Sequence, residues 1–231
     1  MKRKKRLAVF DIDGTIFRSS LLIELVEELI HARIFRPGVA AEYERDKQRW
    51  LDRKGSYESY IDGVVRAFRK NLKGIRNADF LRATREVVSA HQSRVYRFTR
   101  DLAADLKKRG YYLVAISHSP RTIVGPFAER MGFDKIYGLM YEVDEKEKFD
   151  GIILFEELML DKAKIVRRVL DKEKVTLRGS IGVGDTESDI PFLKMVDRPI
   201  CFNPNKKLFN FAKKAGWRVV VERKDVIYEL R

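Results

Sequence analysis

Short apolar runs alternate with amphipathic stretches in two parts of the chain, residues 1–16 and 95–231. The apolar runs have the length of buried strands, and the stretches between them have helical spacing. Strands that alternate with helices in this way predict an α/β fold built on a doubly wound parallel sheet. The predicted strands lie near residues 6–11, 112–117, 179–183, 199–202 and 217–221, and the predicted helices at 95–110, 120–131, 161–172, 187–195 and 205–215.

The segment at 17–94 has no convincing strand pattern. Its apolar positions follow helical spacing in four stretches, interrupted by Pro37-Gly38, Gly55 and Gly74. The stretches are 20–35, 40–54, 57–72 and 79–91. We therefore predict a small all-α domain inserted after the first strand into a core formed by residues 1–16 and 95–231. A shorter insertion at 135–154 has the alternation of a β-hairpin.

The first strand ends in two carboxylates, Asp11 and Asp13, followed by Gly14. Side chains alternate along a strand, so these two carboxylates leave the sheet on the same side, where a cation would relieve their repulsion. Oxygen ligands of this kind suit a hard divalent metal such as magnesium, which also binds phosphate. One carboxylate can then attack phosphorus while the other exchanges protons with the leaving group. Taken alone, the motif also fits a turn or a calcium loop.

Three further polar positions follow predicted elements. Asp185 and Asp189 come after the apolar strand near 179–183, and Ser117 ends the strand near 112–117. Open parallel sheets bind ligands at this edge. Lys162 stands in the first turn of a predicted helix, where a positive charge opposes the helix dipole, so we interpret it as functional. Lys164 is the alternative lysine.

These motifs, in this order, resemble those of the haloacid dehalogenase superfamily and, within it, the phosphoserine-phosphatase-like hydrolases. The matching residues are Asp11 and Asp13, then Ser117, then Lys162, then Asp185 and Asp189. The resemblance implies a Rossmann-like core whose helical insert is a cap that closes over the active site and selects the substrate.

The resemblance also implies a role for each matching residue. Asp11 would be the nucleophile, Asp13 the general acid/base, and Ser117 and Lys162 the ligands of the phosphoryl oxygens. Magnesium would be held by Asp11, by the backbone carbonyl of Asp13 and by Asp185, assisted by Asp189. An acid at position 13 favours a phosphatase over the superfamily's dehalogenases and P-type ATPases. We therefore expect hydrolysis of a small phosphomonoester through an aspartyl-phosphate on Asp11.

The chain departs from the phosphoserine phosphatases at two places that bear on its substrate. Those enzymes usually carry a glutamate nine residues after the nucleophile, which holds the substrate ammonium, and Ser20 occupies that position here. They follow the serine of the second motif with two glycines, whereas this chain has Ser117-His118-Ser119-Pro120. His118 either contacts the substrate or shapes the loop.

The formal net charge of +14 and a pI near 9.8 leave a second class of function open. A basic protein can bind nucleic acid, either with an inactive core or as a phosphatase of polynucleotide ends, although no nucleic-acid-binding motif is present. Transfer of the phosphoryl group to an alcohol acceptor is a third hypothesis on the same chemistry. No apolar stretch approaches the ~20 residues of a membrane span, and we expect a cytoplasmic protein. The single cysteine, Cys201, lies in an apolar run that predicts core packing.

Overall fold

A computed structural model describes residues 4–230, so residues 1–3 of the basic start and residue 231 lie outside the described part. The chain divides into two compact units. The first consists of Met1–Arg18, Ser93–Leu139 and Phe155–Arg231, and the second of Ser19–Gln92 and Met140–Leu154.

Eight strands of the described residues form the sheet, in the order β4-β3-β2-β1-β5-β6-β7-β8. They are β1 Lys5–Asp11, β2 Tyr112–Pro120, β3 Lys135–Val143, β4 Phe149–Leu154, β5 Val175–Gly184, β6 Arg198–Phe202, β7 Arg218–Arg223 and β8 Val226–Leu230. Neighbouring strands from β3 to β7 in this order pair in parallel, whereas β4 and β8 pair antiparallel at the edges. The predicted doubly wound parallel sheet is confirmed. The sequence pattern did not predict β8, whose side chains are mostly exposed.

The α-helices of the described chain alternate with these strands in the first unit and follow one another in the second. They are α1 Leu21–His31, α2 Glu44–Leu51, α3 Tyr57–Leu72, α4 Asn77–His91, α5 Arg97–Lys108, α6 Arg121–Arg130, α7 Glu156–Met159, α8 Lys162–Lys172, α9 Ile190–Leu193 and α10 Lys206–Ala215. Within residues 4–230, none of the helices has the length and apolar character needed to cross a bilayer.

Strand β1 lies at the centre of the sheet because its apolar run is buried on both faces. Residues Leu7–Phe10 have no exposed surface, as expected for a parallel strand covered by helices on both sides. Strand β1 pairs with β2, where Asp11 is opposite Ile116, and with β5, where Phe10 is opposite Val183. The carboxyl ends of these three strands therefore lie side by side. Cys201 is fully buried in β6, which confirms its predicted packing.

The second unit contains α1–α4 and the paired ends of β3 and β4. Aromatic rings form its centre: Phe80 lies 4.9 Å from Phe149 and 6.1 Å from Phe68, and Phe68 lies 5.6 Å from Tyr141, between ring centroids. The 135–154 segment does form an antiparallel hairpin, as predicted. The predicted boundaries placed this hairpin wholly in the core, whereas Met140–Leu154 groups with the helices, where Phe149 is buried and Tyr141 half-buried against helical phenylalanines.

Candidate active site

The site is built at the carboxyl ends of β1, β2 and β5, all within the first unit. Asp11 is the last residue of β1, Ser117 lies near the end of β2, and Asp185 directly follows β5. This edge of an open parallel sheet is where such folds bind ligands. The residues that the sequence pattern selected from distant parts of the chain are thus neighbours in the first unit.

Lys162 begins α8 and is buried between two carboxylates. Its Nζ donates to Asp11 Oδ1 at 2.6 Å and to Asp189 Oδ1 at 2.5 Å. Burial alone would lower the pKa of Lys162, but the charges of Asp11 and Asp189 outweigh it and hold the pKa above its usual value, so the ammonium stays charged. Lys164, the alternative lysine, is exposed on another face of the same helix.

Asp11 has one carboxylate oxygen engaged and one without a partner. Lys162 binds Oδ1, whereas Oδ2 is buried and forms no hydrogen bond with any group of the described residues, 4–230. Burial raises the pKa of Asp11 to about 7, against the lowering effect of Lys162, and the charges of Asp189 and Asp13 add to the rise. A buried, unsatisfied carboxylate oxygen costs free energy unless a cation or another group contacts it. Asp11 Oδ2 is therefore an oxygen that is available for chemistry.

Asp189 supports the site from the 3₁₀ turn Glu187–Asp189. Its Oδ2 accepts the backbone N–H groups of Asp185 and Thr186 at 2.9 and 3.0 Å, and its Oδ1 accepts from Lys162. Both of its oxygens are thus occupied within the protein. It fixes the loop that presents Asp185 and orients Lys162.

Asp185 is the third carboxylate of the cluster. Thr15 Oγ1 donates to its Oδ1 at 3.4 Å, and its backbone carbonyl accepts from the N–H of Asn205 at 2.8 Å. Burial raises the pKa of Asp185 well above its usual value, and the charges of Asp11 and Asp189 raise it further. Thr15, which the sequence analysis did not select, is fully buried and lies two residues after Asp13.

Two glycines leave the space that the carboxylates fill. A Cβ built on Gly14, whose φ is +80°, would lie 2.1 Å from Asp185 Oδ2. A Cβ on Gly184 would lie 2.5 Å from Asp189 Oδ2 and 2.6 Å from the Asp189 Cβ. Any side chain at these positions would displace a carboxylate, which gives a physical reason for glycine beside each acidic motif.

Asp13 is held by two serines of β2. The hydroxyls of Ser117 and Ser119 both donate to Asp13 Oδ2, the second at 2.9 Å, and the Ser119 N–H donates to Ser117 Oγ at 2.8 Å. The sequence analysis missed Ser119, although side chains two residues apart on a strand point the same way. The exposed ring of His118, between them, has Nε2 at 2.9 Å from the carbonyl oxygen of Met159.

The donor set fits a hard divalent cation. One carboxylate oxygen from each of Asp11, Asp185 and Asp189 lies within 4.8 Å of the other two. Three carboxylates face one buried ammonium, Lys162, so ionisation of all of them leaves an excess of negative charge that a divalent ion would balance. Within residues 4–230 the buried Asp11 Oδ2 has no hydrogen-bond partner and is available as a ligand atom, whereas the oxygens of Asp189 are already engaged. Oxygen donors of this kind are preferred by magnesium and calcium.

The family model of the haloacid dehalogenase-like hydrolases matches residues 8–194, which include the whole site. The chain belongs to this family, and the Rossmann-like architecture predicted for its core is confirmed.

Its relatives include phosphoserine phosphatases. It is 25% identical over 215 residues to a phosphoserine phosphatase of Archaeoglobus fulgidus, covering 91% of this chain and 56% of that protein. It is 24% identical over 227 residues to a phosphoserine phosphatase of Mycobacterium tuberculosis, covering 92% of this chain and 69% of that one. Among solved structures, a phospho-aspartyl intermediate analogue of phosphoserine phosphatase shares the fold, with a TM-score of 0.64 at 22% identity and 96% of both chains covered.

Proposed function

We propose that this protein is a magnesium-dependent phosphatase that hydrolyses a small phosphomonoester through an aspartyl-phosphate on Asp11. The observation that carries the proposal is the Asp11 carboxylate, whose Oδ1 is held by the buried Lys162 while the buried Oδ2 has no hydrogen-bond partner in the described part of the chain. A carboxylate fixed on one side and open on the other suits a nucleophile. Burial raises the pKa of Asp11 and removes the water that would otherwise solvate the carboxylate and weaken it as a nucleophile.

In the first step the Asp11 carboxylate forms a bond to phosphorus as the bond to the ester oxygen breaks. Asp13 gives its proton to that oxygen, so the alcohol leaves neutral. Lys162 and the Ser117 hydroxyl stabilise the charge on the transferring phosphoryl oxygens. Bound magnesium would be held by Asp11, Asp185 and the Asp13 carbonyl, with Asp189 orienting this set, and would neutralise phosphoryl charge.

In the second step the ionised Asp13 takes a proton from water as the water oxygen attacks phosphorus. The bond to Asp11 breaks and inorganic phosphate leaves, which restores Asp11 as a carboxylate and Asp13 as an acid. The same carboxyl thus serves as acid and then as base. Its position beside Ser117 at the end of β2 supports this assignment.

The substrate proposed is a small phosphorylated metabolite. Phosphoserine is the substrate in the names of the relatives, but Ser20 stands where those enzymes usually place a glutamate for the ammonium. A neutral hydroxyl forms no ion pair with an ammonium, so we expect phosphoserine to be a poorer substrate here than esters without that group. We also propose that the protein is cytoplasmic.

The test is magnesium-dependent release of phosphate from an aryl phosphate and then from a panel of small phosphomonoesters. Asp11→Asn should abolish turnover, because the amide is a poor nucleophile. Asp101→Asn, which alters an exposed carboxylate that pairs with Arg100, should not change turnover. Turnover that survives Asp11→Asn would refute the proposal. Salt-dependent binding of DNA or RNA without phosphate release would favour the nucleic-acid-binding alternative, and phosphoryl transfer to an added alcohol would favour a phosphotransferase.

A further inference from the structure

Ser119 forms a closed set of hydrogen bonds with Ser117 and Asp13. Its side chain is 2% exposed, its Oγ donates to Asp13 Oδ2 at 2.9 Å, and its backbone N–H donates to Ser117 Oγ at 2.8 Å. Ser117 Oγ donates to the same oxygen of Asp13. Ser119 therefore contacts both groups but is itself neither the acid nor a phosphoryl ligand of the proposed reaction.

A hydroxyl carries one proton, so Ser117 can donate only one hydrogen bond at a time. If Ser117 donates to a phosphoryl oxygen, it no longer donates to Asp13. The Ser119 N–H holds Ser117 Oγ as an acceptor, so that oxygen keeps its position while its proton turns to the substrate. The Ser119 hydroxyl then remains on Asp13 Oδ2 when the Ser117 hydroxyl has left it.

We propose that Ser119 is a positioning residue that holds the Asp13 carboxyl in place through the reaction and keeps its acidic proton on Oδ1. The carbonyl oxygen of a carboxylic acid accepts hydrogen bonds better than its hydroxyl oxygen does, so donation to Oδ2 favours the proton on Oδ1. This role rests on the proposed function. The phosphoserine phosphatases usually have a glycine at this position, which lacks a hydroxyl.

Leaving-group dependence separates this role from a purely structural one. The value of kcat/KM reports the steps through departure of the alcohol, in which Asp13 protonates the leaving oxygen. A nitrophenolate leaves without a proton, whereas an alkoxide requires one. Loss of the Ser119 hydroxyl should therefore lower kcat/KM for an alkyl phosphate by about 10- to 100-fold and for nitrophenyl phosphate by about threefold or less.

The experiment compares Ser119→Ala with the unaltered protein on both esters, under saturating magnesium. Ser119→Thr retains the hydroxyl and should restore most of the alkyl activity. Ser180→Ala is the matched control, because Ser180 is another buried serine of the sheet whose Oγ accepts one hydrogen bond, from the Asp197 N–H. It should leave the ratio of the two activities unchanged. Ser119→Cys, similar in size but a weak donor, replaces the alanine variant if that variant does not fold.

The outcomes distinguish failure of the role proposed for Ser119 from failure of the proposed function. Equal losses on both esters, with turnover still abolished by Asp11→Asn, would overturn the role of Ser119 and leave the proposed function intact. Turnover that persists in Asp11→Asn would overturn the proposed function, and the role of Ser119 with it. A selective loss on the alkyl ester, restored by Ser119→Thr, would establish the role.

Discussion

Replacement of Gly14 by alanine should damage the site far more than the fold. The added Cβ would lie 2.1 Å from Asp185 Oδ2, whereas a normal contact needs about 3.3 Å or more, so the carboxylate must move by more than about 1 Å. The carboxylate is the end of a side chain that can rotate, so the move itself costs little stability. The positive φ of +80° adds roughly 1–2 kcal/mol of strain for alanine.

A displacement of about 1 Å at a ligating group can reduce turnover about 100-fold, and we expect a loss of this size together with a higher magnesium requirement. The matched control is Gly110→Ala, because Gly110 has a φ of +76° and nothing within 4 Å of the added Cβ. Both variants should lose similar free energy of unfolding in urea. The assays are phosphate release across a magnesium titration and thermal unfolding with and without the metal. If Gly14→Ala keeps activity within about threefold of the Gly110 variant, the steric argument is wrong.

Three further predictions concern the buried charges and the thiol. Lys162→Met should lower the free energy of unfolding in urea by about 3–5 kcal/mol, because it leaves Asp11 and Asp189 without their cation. Lys164→Met, at an exposed position, should change that free energy by no more than about 0.5 kcal/mol. Equal effects of the two substitutions would contradict the geometry. In chelator, the free energy of unfolding should fall as pH rises from about 4 to 7, because the folded state retains the Asp11 proton to about pH 7 while the unfolded state releases it near 3.8. Asp11 alone contributes up to roughly 1.4 kcal/mol per pH unit, and Asp185, whose pKa burial also raises, adds to the slope. Asp11→Asn should therefore reduce the slope without abolishing it, and an unaltered protein with no slope would refute the prediction. Cys201, whose thiol pKa burial raises to about 12, should react with a disulfide reagent only after unfolding in urea, and rapid reaction of the native protein would contradict its burial.

The sequence pattern predicted the central strands because buried parallel strands are near-continuous apolar runs, a local property of the chain. It also selected Asp11, Ser117 and Asp185, since a polar residue that ends such a run must lie at the ligand-binding edge of the sheet. The sequence pattern predicted the edge strands of the sheet less well than the central ones. Strand β8 is amphipathic and exposed, and the hairpin at 135–154 divides between two units for reasons that its own sequence does not contain.

Tertiary structure alone decided which groups meet. Lys162 and Lys164 have the same local sequence character, and only the packing of α8 buries the first between Asp11 and Asp189. The partnership of Ser119 with Asp13 joins residues 106 positions apart, and the space left by Gly14 matters only because Asp185 fills it. Apolar runs and strand ends are determined by the order of residues along the chain. Hydrogen bonds, burial and steric exclusion between distant residues depend on packing in three dimensions, so only the folded structure could supply them.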